Sequence, residues 1–248
     1  MSTLLRLEDL DRKTLELLVQ VKFTRQAQEE EDAIRRLLET ALILEGKKGR
    51  GKSVAATVIS WLLREHFDRH VITVGTKLGL QPAFGEFTEI TEGQFKDALS
   101  RVQDVVEEDI AAEEVWKALQ EKGVNLMHST IIFDEAYKLF DARNPMDKMT
   151  RVFGYFMAQQ RHYHCTTMLC APNREMIDKR VRQQVDWFGR CFHNKWTHQC
   201  VVRLVSGLET IPLTFNCIDD TEHPSFYTMY DSWALTDIGR RHLNIKKY

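Results

Sequence analysis

Short, continuous apolar runs alternate with longer stretches of helical spacing along most of this chain. ALILE at residues 41–45 is apolar enough for a strand covered on both faces, and VAATVISWLLREHF, beginning at Val54, repeats its apolar positions at helical spacing. HVITVGT at 70–76 predicts a second strand, followed by a Gly- and Pro-containing loop and an acidic helical region from Gln94 to Lys122. STIIFD, ending at Asp134, predicts a third strand, a helix follows from about Asp147 to Tyr163, and CTTMLC predicts a fourth strand. Arg174 to Phe188 reads as helix. The segments CFHNKWTHQCVVRLV and TIPLTFNCI, within 190–217, alternate as edge β structure does. Residues 4–40 carry recurrent Leu, Ile and Val among dense charges, which predicts one or two amphipathic helices ahead of the core. Strands alternating with helices imply an α/β fold with a mainly parallel sheet. The expected organisation is an N-terminal helical extension over 1–40 and one domain over 41–248 ending in β additions.

Composition narrows the setting more than the chemistry. With 248 residues, 43% of them hydrophobic, and only 12 Gly and 5 Pro, the chain can bury a sizeable core and has little linker material. No apolar run approaches the roughly 18 to 20 residues of a membrane span, and the start, MSTLLRLEDLDRK, is too acidic for a secretory signal. An intracellular, cytoplasmic protein is expected, and five cysteines without an even-spaced framework fit reduced thiols. The net charge of -2 gives no global attraction to nucleic acid, so any such contact needs a local basic surface.

The chemistry is concentrated in two motifs. Residues 46–53 read GKKGRGKS, a phosphate-binding loop between a predicted strand and a predicted helix. Gly46, Lys47, Lys48, Gly49, Arg50, Gly51, Lys52, Ser53 and Val54 are the nucleotide-binding candidates. The glycines let backbone N–H groups point at phosphates, Lys52 reaches the terminal phosphates, and Ser53 offers a hydroxyl to Mg²⁺. Downstream, Asp134 and Glu135 sit at the carboxyl end of an apolar strand, the edge at which open α/β sheets bind ligands. Asp134 is the expected Mg²⁺ partner with Ser53, and Glu135 the residue that polarises the attacking water, which implies ATP hydrolysis.

Other constellations are weaker. CFHNKWTHQC spaces Cys191 and His193, and His198 and Cys200, so that a hairpin can bring all four to one face, but the spacing matches no usual structural zinc pattern. His162, His164 and Cys165 read as packing and surface. After the acid pair, Lys138, Arg143, Lys148 and Arg151, with Tyr137 and Phe140 among them, and Lys77 after the second strand, are candidates for gripping a DNA backbone; a solvated charged face is the competing reading.

From Asp134 onward, DEAYKLFDAR, FMAQQRHYH, TTMLCAPNREMIDKRVRQQV and FYTMYDS resemble the FtsK–HerA superfamily of ring ATPases. They are most similar to the branch holding zonula-occludens-toxin-like proteins and genome-packaging ATPases of membrane-containing viruses. The resemblance covers about Leu42 to Ser232 and implies a RecA-like (ASCE) P-loop core, ATP and Mg²⁺ as cofactors, and a ring, as a hexamer, that moves double-stranded DNA. A capsid or portal protein is the implied further partner, with a host-cytoplasmic or virion-associated location. It also implies a trans-acting arginine, for which Arg180 and Arg182 are candidates and Arg161 a competitor, and a polar sensor after the fourth strand. Here that position reads Cys170-Ala171-Pro172, with Asn173 the nearest substitute; the role of Tyr230-Asp231-Ser232 is left open. Two rival readings are a nucleotide-dependent morphogenesis factor acting on protein subunits and a small-molecule kinase. An acid pair followed by subunit-facing arginines favours hydrolysis in a ring over the kinase.

Overall fold

The computed structural model describes residues 31–75, 86–100, 108–144, 148–194 and 199–216. Contacts divide the chain into Met1–Arg36 and Leu37–Tyr248. Of the expected extension, residues 31–35 are helical, with an Arg35–Glu31 ion pair one turn apart, and residues 36–39 form a turn; residues 1–30 lie outside the described residues.

In the second unit the elements run β1 (Ala41–Glu45), α1 (Lys52–Phe67), β2 (His70–Gly75), β3 (Thr88–Ile90), α2 (Glu92–Ser100) and α3 (Glu108–Gln120). They continue with β4 (Ser129–Asp134), α4 (Lys148–Gln159), β5 (Thr166–Ala171), α5 (Lys179–Arg182), β6 (Trp187–Asn194), β7 (Gln199–Ser206) and β8 (Glu209–Asn216). One sheet holds all eight strands in the order β3-β2-β4-β5-β1-β6-β7-β8. The strands from β3 to β6 pair in parallel, while β7 and β8 add antiparallel. One strand, β5, separates the loop-bearing β1 from the acid-bearing β4, the order of a RecA-like ASCE core.

Pattern and position agree in the centre. β4 and β5 are buried along their full length, because helices cover both faces and a parallel strand there must be apolar throughout. α1 packs on one face. On the other, Phe133 of β4 meets Phe95 of α2 and Phe153 of α4 edge-on at 5.1 and 5.2 Å, and Phe153 stacks on Phe140 at 4.0 Å.

At the amino-terminal edge the residues leading into four parallel strands meet. Arg69, 8% exposed, donates to the His164 carbonyl at 2.8 Å, contacts the His128 ring at 3.2 Å and pairs with Glu39 at 3.6 Å. The two imidazoles stack at 4.7 Å. These side chains fasten the strand starts, so His164 is part of the sheet's foundation and Cys165 is buried beside it. Burial pushes the Cys165 thiol up to about 11.

The acidic region is helical over α2 and α3, and residues 101–107 between them lie outside the described residues. Two local expectations are corrected. Arg174 to Phe188 is not a helix: it contains a 3-10 turn at Arg174–Met176, the one-turn α5, and the start of β6, whose Trp187 and Phe188 pair with Leu42 and Ile43 of β1. β3, of only three residues, stands where the Gly- and Pro-containing loop was expected and follows a stretch outside the described residues.

Candidate functional site

The carboxyl ends of the parallel strands bring the two motifs together. β1 delivers Gly46, and β4, two places along the sheet, delivers Asp134. The Ser53 hydroxyl lies 3.1 Å from Asp134 Oδ2 and 3.2 Å from Oδ1, so it donates to that carboxylate across 81 positions of sequence. Asp134 also accepts the Glu135 N–H at 3.1 Å. Burial pushes its carboxyl above the usual range, and the Glu135 charge adds to this, against the hydrogen bonds from Ser53 and Glu135 and the charge of Lys52. A buried carboxylate facing a hydroxyl is a donor set that suits Mg²⁺, which would relieve that penalty.

The loop is shaped around its backbone. Gly51 caps α1 in the left-handed conformation, φ 85°, and a Cβ there would stand 2.6 Å from Cys200 Sγ. At Gly46 a Cβ would crowd the Cys191 carbonyl at 3.2 Å. A side chain at either position would run into β6 or β7 behind the loop, so only glycine lets the loop backbone lie this close to the sheet. The first helical bond of α1 is Ala55 N–H to the Gly51 carbonyl at 2.8 Å, which leaves the N–H groups of Lys52, Ser53 and Val54 outside the helix ladder at the dipole's positive end. Lys47, Lys48, Gly49 and Arg50 are exposed on the loop's outside, Val54 is buried, and Lys52 bends back with Nζ 3.5 Å from the Lys47 carbonyl.

Glu135 takes a left-handed backbone, φ 51°, which costs a non-glycine residue about 1 kcal/mol or more. It is ion-paired with Lys138 one turn on.

The arginine candidates are held within their own chain. Arg180 grips Asp178 through Nε at 2.9 Å and NH2 at 3.2 Å. Burial would raise the Asp178 carboxyl, but the bonds and charges of Arg180 and Arg182 outweigh it and hold it below the usual range. Arg182 donates to the Ile177 carbonyl and to Glu175, and Arg161 to Asp186. Asn173 spends its side-chain oxygen on the Glu175 N–H at 3.0 Å, capping a turn.

Among the DNA-contact candidates, Phe140 is a core residue, 1% exposed, which removes it from that set. Arg143 is held by Asp141, whose carboxyl it lowers to about 2; Arg151 is exposed, Tyr137 is half-buried, and Lys148 opens α4. Lys77 and Tyr230-Asp231-Ser232 lie outside the described residues, as does His198 of the zinc reading. Among the described residues no His, Cys, Asp and Glu side chains gather into a metal cluster.

What the sequence reading missed is the wall behind the loop. Cys170 of β5, Cys191 of β6 and Cys200 of β7 are buried around it, and burial pushes the Cys170 and Cys191 thiols well up. The alternation in CFHNKWTHQC carried that signal, since it sets Cys191 and Cys200 on one face.

A family model for zonular occludens toxin (Zot) matches residues 40–198, well over half of the chain. The chain belongs to the Zot family. This is the branch of FtsK–HerA-like ATPases to which the motifs after Asp134 pointed, and with the strand order it makes the chain a P-loop NTPase of the Zot family. The solved N-terminal domain of zonular occludens toxin from Neisseria meningitidis is similar at 14% identity and a TM-score of 0.47, covering 77% of this chain and 98% of that one. The genome packaging NTPase B204 of Sulfolobus turreted icosahedral virus 2, solved with ATP-gammaS, is similar at 14% identity and a TM-score of 0.45, covering 70% and 96%. The pCW3 conjugation coupling protein TcpA, with ATPgS, is similar at 17% identity and a TM-score of 0.46, covering 75% of this chain and 63% of that one. No curated protein sequence matches the chain. Among the described residues no helix is long and apolar enough to cross a membrane.

Proposed function

We propose that this Zot-family protein is an ATP-hydrolysing motor that assembles as a ring and drives double-stranded DNA, with viral genome packaging as its setting. The observation that carries the hydrolytic part is the meeting of Ser53 and Asp134 at 3.1 Å, with Glu135 next along the chain and its carboxylate on Lys138. In this reading the loop N–H groups and Lys52 hold the phosphates of ATP, and Ser53 and Asp134 hold Mg²⁺. The cation supplies charge neutralisation at the phosphates. Glu135, released from Lys138, orients and polarises the attacking water. Arg180 or Arg182 completes the site of a neighbouring protomer after leaving its present acid partner. The ring, most simply a hexamer, its DNA substrate and a capsid or portal partner are supported by the motif resemblance, as is a cytoplasmic or virion-associated location. A morphogenesis ATPase acting on protein subunits is the second reading, favoured by the Zot family match.

The test is the ATP hydrolysis rate with and without duplex DNA at low and moderate salt. Stimulation by DNA of any sequence that weakens with salt is the expected result, because backbone contacts release counterions. Hydrolysis indifferent to DNA would favour the protein-assembly reading.

A further inference from the structure

Among the described residues, one face of β6 and β7 presents exposed side chains. Alternation sends Cys191, Cys200 and Val202 inward and turns Phe188, Arg190 and Phe192 of β6 and Val201, Arg203 and Val205 of β7 to the other side. Phe192 and Val205 are 46% and 36% exposed there. The register pairs Arg190 directly with Arg203, between a Phe188–Val205 pair and a Phe192–Val201 pair. Like charges placed directly opposite each other on a sheet destabilise it, so this pairing has a folding cost that a bound anion would remove. Arg203 has no acidic partner among the described residues, and Arg190 has only Glu45, at 3.4 Å on the border of the face. Arg174 extends the same surface, its guanidinium 5.1 Å from the Phe188 ring centre. The positions of β8 that face the same way, Thr210, Pro212 and Thr214, are uncharged.

We infer that this face is a contact surface for the phosphate backbone of nucleic acid, with Arg190 and Arg203 on phosphates and Phe192 packed beside them. Guanidinium groups bind phosphate oxygens bidentately, and basic side chains interleaved with aromatic ones are the usual composition of sequence-independent nucleic-acid surfaces. The surface adjoins Glu45, the residue before Gly46, so a bound backbone lies one strand from the nucleotide loop. The inference rests on the DNA-motor reading and gives it a location distinct from the basic residues after Glu135.

The experiment is fluorescence anisotropy of a labelled random-sequence duplex, titrated with the full chain at several salt concentrations, for wild type, Arg190→Ala/Arg203→Ala and Arg203→Lys. Binding of a fluorescent ATP analogue reports that each variant is folded. Loss of two phosphate contacts should flatten the slope of log affinity against log salt by about 1.8, equally for different sequences, and Arg203→Lys should keep the wild-type slope. An unchanged slope in the double variant, with wild type binding DNA and stimulated by it, overturns the surface and leaves the motor reading standing. No binding by wild type overturns both. Unchanged affinity with a loss of oligomers assigns the face to a second copy and also overturns the inference.

Discussion

Asp134 concentrates the conflict that a nucleotide site builds into a fold. Its carboxyl is 7% exposed and titrates above the usual range, so the folded protein holds that proton more tightly than the unfolded chain does. The stability penalty is absent below the unfolded value and grows as pH rises through the folded one. Asp134→Asn, without Mg²⁺, should therefore raise the melting temperature at neutral pH and change it little near about pH 4. Thermal melts in chelator at both pH values check this, and an equal shift at both would remove the burial argument. With Mg²⁺ and nucleotide the order should reverse, since only wild type gains the cation. The loop and the acid pair were legible as letters because their chemistry fixes residue type and spacing together. The partners that position them were not: Cys200 beneath Gly51 and Glu45 against Arg190 depend on strand neighbours set by the fold, and Lys138 beside Glu135 depends on the 3-10 turn that follows β4.

At the scale of elements, the aromatic cluster fixes how β4 presents its acids. Phe153 of α4 touches Phe95, Phe133, Phe140 and Phe156, and so joins the helix layer to the strand ending at Asp134. Phe153→Ala should cost about 3–5 kcal/mol and lower hydrolysis through displaced acids, more than it weakens nucleotide binding. Denaturant melts together with binding of a fluorescent nucleotide measure both, and a loss below about 1 kcal/mol would show that the site does not lean on the cluster. The central strands were readable because burial on both faces leaves a continuous apolar run. Residues 174–188 misled because IDKRVRQQVD is rich in helix formers, while Trp187 and Phe188 are claimed by the free edge of β1. Tertiary pairing overrode local propensity there. The antiparallel segments were read correctly as β structure at the edge, and they extend the main sheet beyond β6.

For the molecule as a whole, the sheet has two chemical ends. One anchors strand starts around Arg69; the other gathers the phosphate loop, the acid pair and the turn leading to α5. Arg180 and Arg182 lie in α5, each engaged by an acid of its own chain, Asp178 or Glu175. If one of them serves a neighbouring site, Arg180→Ala or Arg182→Ala subunits should bind nucleotide and yet depress wild-type hydrolysis out of proportion when mixed in. Simple dilution of activity would show that the site is complete within one chain. The family was legible because its motifs lie in the order the sheet needs, whereas subunit number and neighbour contacts are encoded in surfaces rather than motifs.

The central claim is hydrolysis at the Ser53–Asp134–Glu135 edge, and Glu135→Gln tests it most directly. Side by side, wild type and variant should bind an ATP analogue with Mg²⁺ equally well, while single-turnover hydrolysis by the variant falls about 10²- to 10⁴-fold. Equal hydrolysis by the two proteins would contradict the account and move the chemistry away from this pair of acids.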